Sequence, residues 1–214
     1  MKFNHEAAYR GKDIVKSRAQ KQIVICGCGA LGANLSIQLA KQGFINQVLV
    51  DMDRVEEDNL STQPWGRPLI GKLKTAALQT LLHRDLSVIV KDTFSRKLER
   101  ESDAKKLFAK ADLVVDVFDN WAARKLVFDT VNSTSCVHAG MSDDGFSEVK
   151  WNENYKIPQV EVKQDDICDY PLAVNLVQTT VALLSEVIVK FFDSGIKTSV
   201  DFTLGDLNIW RANV

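Results

Sequence analysis

Two groups of residues in this sequence could do chemistry together. Gly27-Cys28-Gly29-Ala30-Leu31-Gly32 reads G-x-G-x-x-G and lies between an apolar run and a helical pattern. In such a loop the first glycine permits a tight turn, the second lets a phosphate approach the backbone, and the third lets helix and strand pack closely. The helix amino end then offers N–H groups and partial positive charge to the phosphate. Asp51, 19 residues past Gly32, stands where a carboxylate can accept ribose hydroxyls. The loop predicts a bound nucleotide without saying which one. The second group is Lys74, which can supply a cation to phosphates, and Asp119, a hard oxygen ligand suited to Mg²⁺. Plainer readings stay open for each: a turn residue for Asp51, a solvated helix position for Lys74, a helix cap for Asp119.

These residues need elements to hold them. Lys21 to Cys26 reads as a buried strand and Ala30 to Gln42 as a helix stopped by Gly43. Gln47 to Asp51 follows as a strand, Lys72 to Leu82 as a helix and Ser87 to Val90 as a third strand. A charged helix over Glu99 to Ala111, a buried strand from Leu113 to Phe118, a helix from Trp121 to Val131 and a strand at Cys136 to Ala139 complete the alternation. Strands and helices alternating in this way predict an α/β fold, a Rossmann-like, mostly parallel sheet covered by helices. Beyond Gly140 the pattern changes. Phe146 to Trp151 and Ser199 to Leu204 alternate like half-exposed strands, with a long apolar helix from Leu172 to Phe192 between them. An antiparallel extension in the carboxyl-terminal third is expected.

Composition sets the bounds. The chain has 214 residues, 45% apolar and 26% charged, with a net charge of −1. At about 150 residues per domain this predicts a single domain: an arm or short helix over 1–20, a nucleotide-binding core over 21–140, and a sheet extension with its helix over 141–214. The even charge gives no support to general nucleic-acid binding. No apolar run approaches the ~20 residues of a membrane span, and the first residues lack a signal-peptide core. Cys26, Cys28, Cys136 and Cys168 have no disulfide-like spacing, so free thiols and a cytoplasmic location are expected. His138 reads as a partly buried structural residue, Trp65, Trp121, Trp151 and Trp210 as packing residues, and Lys97 to Lys110 as a solvated helix face.

Asp51-Met52-Asp53-Arg54-Val55-Glu56-Glu57-Asp58-Asn59-Leu60 resembles the D-x-D-x-V-x-x-x-N-L signature of the ThiF/MoeB family, which includes the adenylation domain of ubiquitin-activating enzymes. Gln63 follows in the family's order. Ile70-Gly71-Lys72-Leu73-Lys74 resembles its V-G-x-x-K, and Asp116 to Asn120 with Arg124 resembles its D-x-x-D-N-x-x-x-R. The resemblance covers about residues 20 to 193 and implies ATP-dependent adenylation of a carboxyl terminus with Mg²⁺. The implied partner is a small ubiquitin-like protein, a sulfur carrier or a peptide ending in a glycine-type carboxylate, and the implied assembly is a homodimer. It carries the catalytic roles to Asp119 (the Mg²⁺ residue), Lys74 and Arg124. Nucleotide contacts fall to Gly27, Gly29, Ala30, Leu31, Gly32, Asp51, Asp53, Asn59, Gln63, Lys74 and Asn120. A hydride-transferring enzyme using the same loop, or a nucleotide-binding subunit without catalysis, are the alternatives.

Two departures bear on that reading. The family commonly carries arginine where Thr62 stands, and a hydroxyl cannot make a charged fork to phosphate. Arg54, Arg67, or Arg10 or Arg18 reaching across a dimer, are the candidate replacements. Most relatives also carry two C-x-x-C pairs for structural zinc; this chain has neither pair, so no structural zinc is expected. Cys168 resembles in position a cysteine that some members link covalently to the activated carrier. Asp165, Asp166 and Asp169 beside it oppose thiolate formation.

Overall fold

The computed structural model describes residues 3–157 and 172–214. Its centre is a buried parallel sheet: β1 (Gln22–Cys26), β2 (Asn46–Val50), β3 (Asp92–Phe94), β4 (Leu113–Asp116) and β5 (Cys136–Met141). Strand β1 pairs with both β2 and β4, so the order 3-2-1-4-5 reverses direction at β1. Strands β6 (Phe146–Trp151), β7 (Thr198–Thr203) and β8 (Ile209–Asn213) continue the same eight-stranded sheet antiparallel to one another. The fold is thus α/β, a Rossmann-type sheet with an antiparallel extension.

Helices cover the sheet because both faces of its central strands are apolar. Helices α3 (Ala30–Lys41), α4 (Lys74–Leu86) and α7 (Val174–Ser194) lie on one face, where Leu35, Leu39, Leu78, Leu82, Leu184 and Ile188 pack on Ile23, Ile25 and Val115. Helices α5 (Glu101–Phe108) and α6 (Trp121–Thr130) lie on the other, with Phe108 and Val127 against Val24, Cys26 and Val114. The expected arm is a pair of short helices, α1 (Asn4–Arg10) and α2 (Lys12–Arg18). Arg18 anchors them: fully buried, it donates to Glu6 at 2.8 Å, to the Gln42 carbonyl at 2.9 Å and to Asp193 at 2.6 and 3.1 Å.

Several expectations are corrected. The third strand is Asp92–Phe94; Ser87 to Val90 turns through a left-handed Ser87 (φ 47°) and only buries Val88 and Val90. The helix expected to end at Leu82 runs to Leu86. Strand β8 was not foreseen, and Trp210 on it is 48% exposed, so it is no packing residue within this chain, unlike Trp65 and Trp151. Helix α7 is long and apolar enough, by length and composition, to cross a membrane, against the expectation that no stretch approaches that length. Half of its apolar stretch is buried inside the chain, where the helix packs on α3 and β5 to β7.

Candidate nucleotide site at the carboxyl edge of the sheet

The glycine loop leaves β1 where neighbouring connections diverge, the place at which open α/β sheets form a crevice. Its glycines meet different demands. Gly27 has φ +105°, and a Cβ there would stand 2.9 Å from the Val117 carbonyl. A Cβ on Gly32 would stand 1.8 Å from the Gly27 carbonyl. A Cβ on Gly29 would meet nothing within 4 Å. Protein packing therefore requires the first and third glycines, while the second faces open space before α3, a helix with no side-chain cap. Such a cradle fits a phosphate. Ala30 and Leu31 open the helix beside it.

Asp51 ties this loop to the end of β2. Its carboxylate is buried and accepts from the Cys28 N–H at 2.6 Å and the Asp53 N–H at 2.7 Å. Burial raises its pKa above the usual carboxylate range, although both hydrogen bonds and the nearby Lys74 charge pull it down. Lys74 is buried too, its Nζ donating to Asp53 Oδ2 at 3.1 Å. Burial works against its charge, yet the carboxylates of Asp51, Asp53 and Asp119 outweigh that and raise its pKa. The structure thus brings Lys74 and three of the predicted carboxylates to one place beside the loop, and Lys74 is not a solvated helix residue.

Asp119 is exposed on the turn after β4, and among the described residues its side chain has one hydrogen bond, accepted from the Asn120 amide at 3.5 Å. The cap of α6 is Asn120, whose Oδ1 accepts from the Ala123 N–H at 2.9 Å, so Asp119 remains available as an oxygen ligand. A hard, exposed carboxylate near a lysine and a phosphate-sized cradle fits Mg²⁺ in company with phosphates.

Asn59 and Gln63 lie on the loop between β2 and α4. Asn59 accepts from the Glu56 N–H at 3.1 Å, and Gln63 Oε1 from the Trp65 indole at 2.7 Å. Thr62 is held through its carbonyl, which accepts from Asn34 Nδ2 at 2.9 Å. Of the candidate replacements for the family's arginine, Arg18 is corrected to a buried anchor and Arg10 to a partner of Glu6 and Glu186. Both are occupied within their own chain. Arg54 donates to the Gly71 carbonyl at 2.7 Å, and Arg67 pairs with Glu57 at 3.1 Å in an exposed contact.

Beyond Asp119 the structure shows a network that sequence reasoning missed. His138 is fully buried rather than partly so, with Nδ1 2.9 Å from Asp116 Oδ2 and Nε2 2.9 Å from Asn152 Oδ1. Arg124 donates to the Tyr155 hydroxyl at 3.1 Å and the Ala139 carbonyl at 2.7 Å. Burial opposes its charge, but Asp116, Tyr155 and Glu148 prevail and raise its pKa. The signal available was polar Asp116 and His138 in otherwise apolar strands. Cys168 lies outside the described residues.

The fold and its loop define a Rossmann-type domain with the candidate site at the sheet's switch point. Residues 5–161 match the ThiF family model, and the chain belongs to the ThiF family. It is 30% identical over 134 residues to the adenylyltransferase and sulfurtransferase MOCS3 of Xenopus laevis, covering 62% of this chain and 28% of that protein. It is 36% identical over 118 residues to the adenylyltransferase and sulfurtransferase uba4 of Aspergillus niger, covering 54% and 24%. The chain spans less than a third of these curated relatives. Among solved structures, E. coli MccB with succinimide aligns at a TM-score of 0.81 and 18% identity, over 100% of this chain and 70% of that one. E. coli MccB with ATP aligns at 0.76 and 20%, over 98% and 68%. These likenesses show the fold.

Proposed function

We propose that this chain is an ATP-dependent adenylyltransferase that activates the terminal carboxylate of a small ubiquitin-like protein, sulfur carrier or peptide. The carrying observation is Lys74 set among Asp51, Asp53 and Asp119 beside an open Gly29. A hydride-transferring site needs neither a buried lysine at the phosphates nor a free carboxylate for a metal. Family membership and the relatives' names as adenylyltransferases support the same reading.

In this reading Gly29, Ala30, Leu31 and Gly32 present the α3 amino end to the phosphates, with Gly27 making the turn. Asp51 holds the ribose hydroxyls, and Asn59, Gln63 and Asn120 line the nucleotide. Asp53 holds Lys74 until phosphate competes for its ammonium. Mg²⁺ held by Asp119 would neutralise triphosphate charge. The acceptor carboxylate, already ionised at neutral pH, attacks the α-phosphorus. A new P–O bond forms, the α–β bridging P–O bond breaks, and pyrophosphate leaves with the electron pair. No general base is required, consistent with His138 being buried away from solvent. Of the remaining expected catalytic residues, Arg124 acts from behind through Tyr155 and the Ala139 carbonyl, and Cys168 completes the proposed set, in a cytoplasmic homodimer.

Calorimetric titration with ATP plus Mg²⁺, and separately with NAD⁺, tests this. Saturable ATP binding that Asp119→Ala weakens is expected. Binding of NAD⁺ without a response to ATP overturns it.

A further inference from the structure

The buried network around His138 closes on itself around Asp119. From the β4 side, Asp116 Oδ1 accepts from the Phe118 N–H at 3.2 Å, folding the turn that carries Asp119, while Asp116 Oδ2 meets His138 Nδ1 at 2.9 Å. From the α6 side, Asn120 caps the helix and Arg124, one turn on, donates to Tyr155 and to the Ala139 carbonyl. The two sides join where the His138 and Tyr155 rings stack, centroids 3.9 Å apart and 6° from parallel. Asn152 holds the far nitrogen of His138 at 2.9 Å. The circuit runs from Asp116 to His138, Tyr155, Arg124 and α6, and returns through Asn120, Asp119 and Phe118. The same turn abuts the glycine loop, since Val117 donates to the Cys26 carbonyl at 2.9 Å.

A strand row of this kind needs no polar groups to be stable. Apolar replacements of similar volume commonly match or exceed a buried charged pair, whereas a fully satisfied polar network specifies one geometry. Here Asp116 and His138 are both wholly buried and each has polar partners within hydrogen-bond distance. What the network adds is the placement of residues 117–120.

We propose that His138 is a positioning residue: through Asp116 on one side and Tyr155–Arg124 on the other, it fixes the turn that aims Asp119 at the metal and phosphates. The inference rests on the reading of Asp119 given above. In this role Asp116 is the acceptor and His138 Nδ1 the donor of their contact. An asparagine at 138 can place an amide N–H near that nitrogen; a glutamine reaches toward Nε2 instead.

The test compares wild type, His138→Asn, His138→Gln and Tyr155→Phe in the full chain. Calorimetry measures ATP affinity with Mg²⁺ and with EDTA, and hydrogen exchange follows residues 117–124. His138→Gln is expected to lose about 10-fold or more of the Mg²⁺-dependent gain in ATP affinity, the scale seen when groups behind a metal ligand are removed. Its metal-free ATP affinity falls by a smaller factor, since Asn120 shares the turn, exchange over 117–124 accelerates, and His138→Asn restores both readouts. Tyr155→Phe, which keeps the stacked ring, accelerates the same exchange and carries the test if His138→Gln does not fold. Unchanged exchange over 117–124, uniform acceleration along the whole chain, or equal damage from His138→Asn and His138→Gln overturns the proposal. Exchange confined to 117–124 in a protein whose wild type gains nothing from Mg²⁺ supports the positioning role and overturns the metal reading instead.

Discussion

Gly29 and Gly32 sit three residues apart, and a methyl group would test different things at each. At Gly32 it would collide with the Gly27 carbonyl, so Gly32→Ala is expected to destabilise the chain by about 1–3 kcal/mol or more in denaturant titrations. At Gly29 it would meet open space, so Gly29→Ala is expected to leave stability within about 0.5 kcal/mol while weakening ATP binding in calorimetry. Lys74 has its own signature. Its folded pKa is raised above the ordinary 10.5, so its ion pairing stabilises the fold fully below pH 10.5 and is lost as pH rises through the elevated value. Lys74→Met should therefore flatten that part of the alkaline stability curve in pH-dependent denaturation. The loop, Asp51, Lys74 and Asp119 were legible because each residue type carries its chemistry at a recognisable spacing. His138 was not, since its partners Asp116, Asn152 and Tyr155 come together only through β4–β5 pairing and the path after β6.

At the level of elements, the parallel half was readable from short apolar runs alternating with helical patterns, and the extension from alternation in β6 and β7. Strand β3 was displaced because Val88 and Val90 are buried by packing without sheet pairing, while Asp92 to Phe94 pairs without an apolar run. Strand β8 escaped because its residues lie at an exposed edge, with Ile209 at 50% and Trp210 at 48% exposure. The amino-terminal helices depend on one buried guanidinium. Removing it leaves Asp193 without a cationic partner among the described residues and Glu6 with Arg10 alone, so Arg18→Ala is expected to cost about 3–5 kcal/mol in chemical denaturation. Nucleotide affinity measured below the unfolding transition should change little, because Arg18 is committed to the arm.

For the whole molecule, the proposed homodimer predicts a light-scattering mass of twice 23.9 kDa at micromolar concentration; a mass of 23.9 kDa would count against it. The depth at which the strands bury their sulfur has a practical side. Cys26, Cys28 and Cys136 are shielded, and burial, reinforced by Asp116 or Asp51, holds each thiol well above the usual 9.0. Because the thiolate is the form that reacts, these three are silent toward maleimides while the fold persists. The native protein is therefore expected to form no maleimide adduct at Cys26, Cys28 or Cys136, whereas denaturant opens all three, so mapping the label onto them reads out unfolding of the sheet itself.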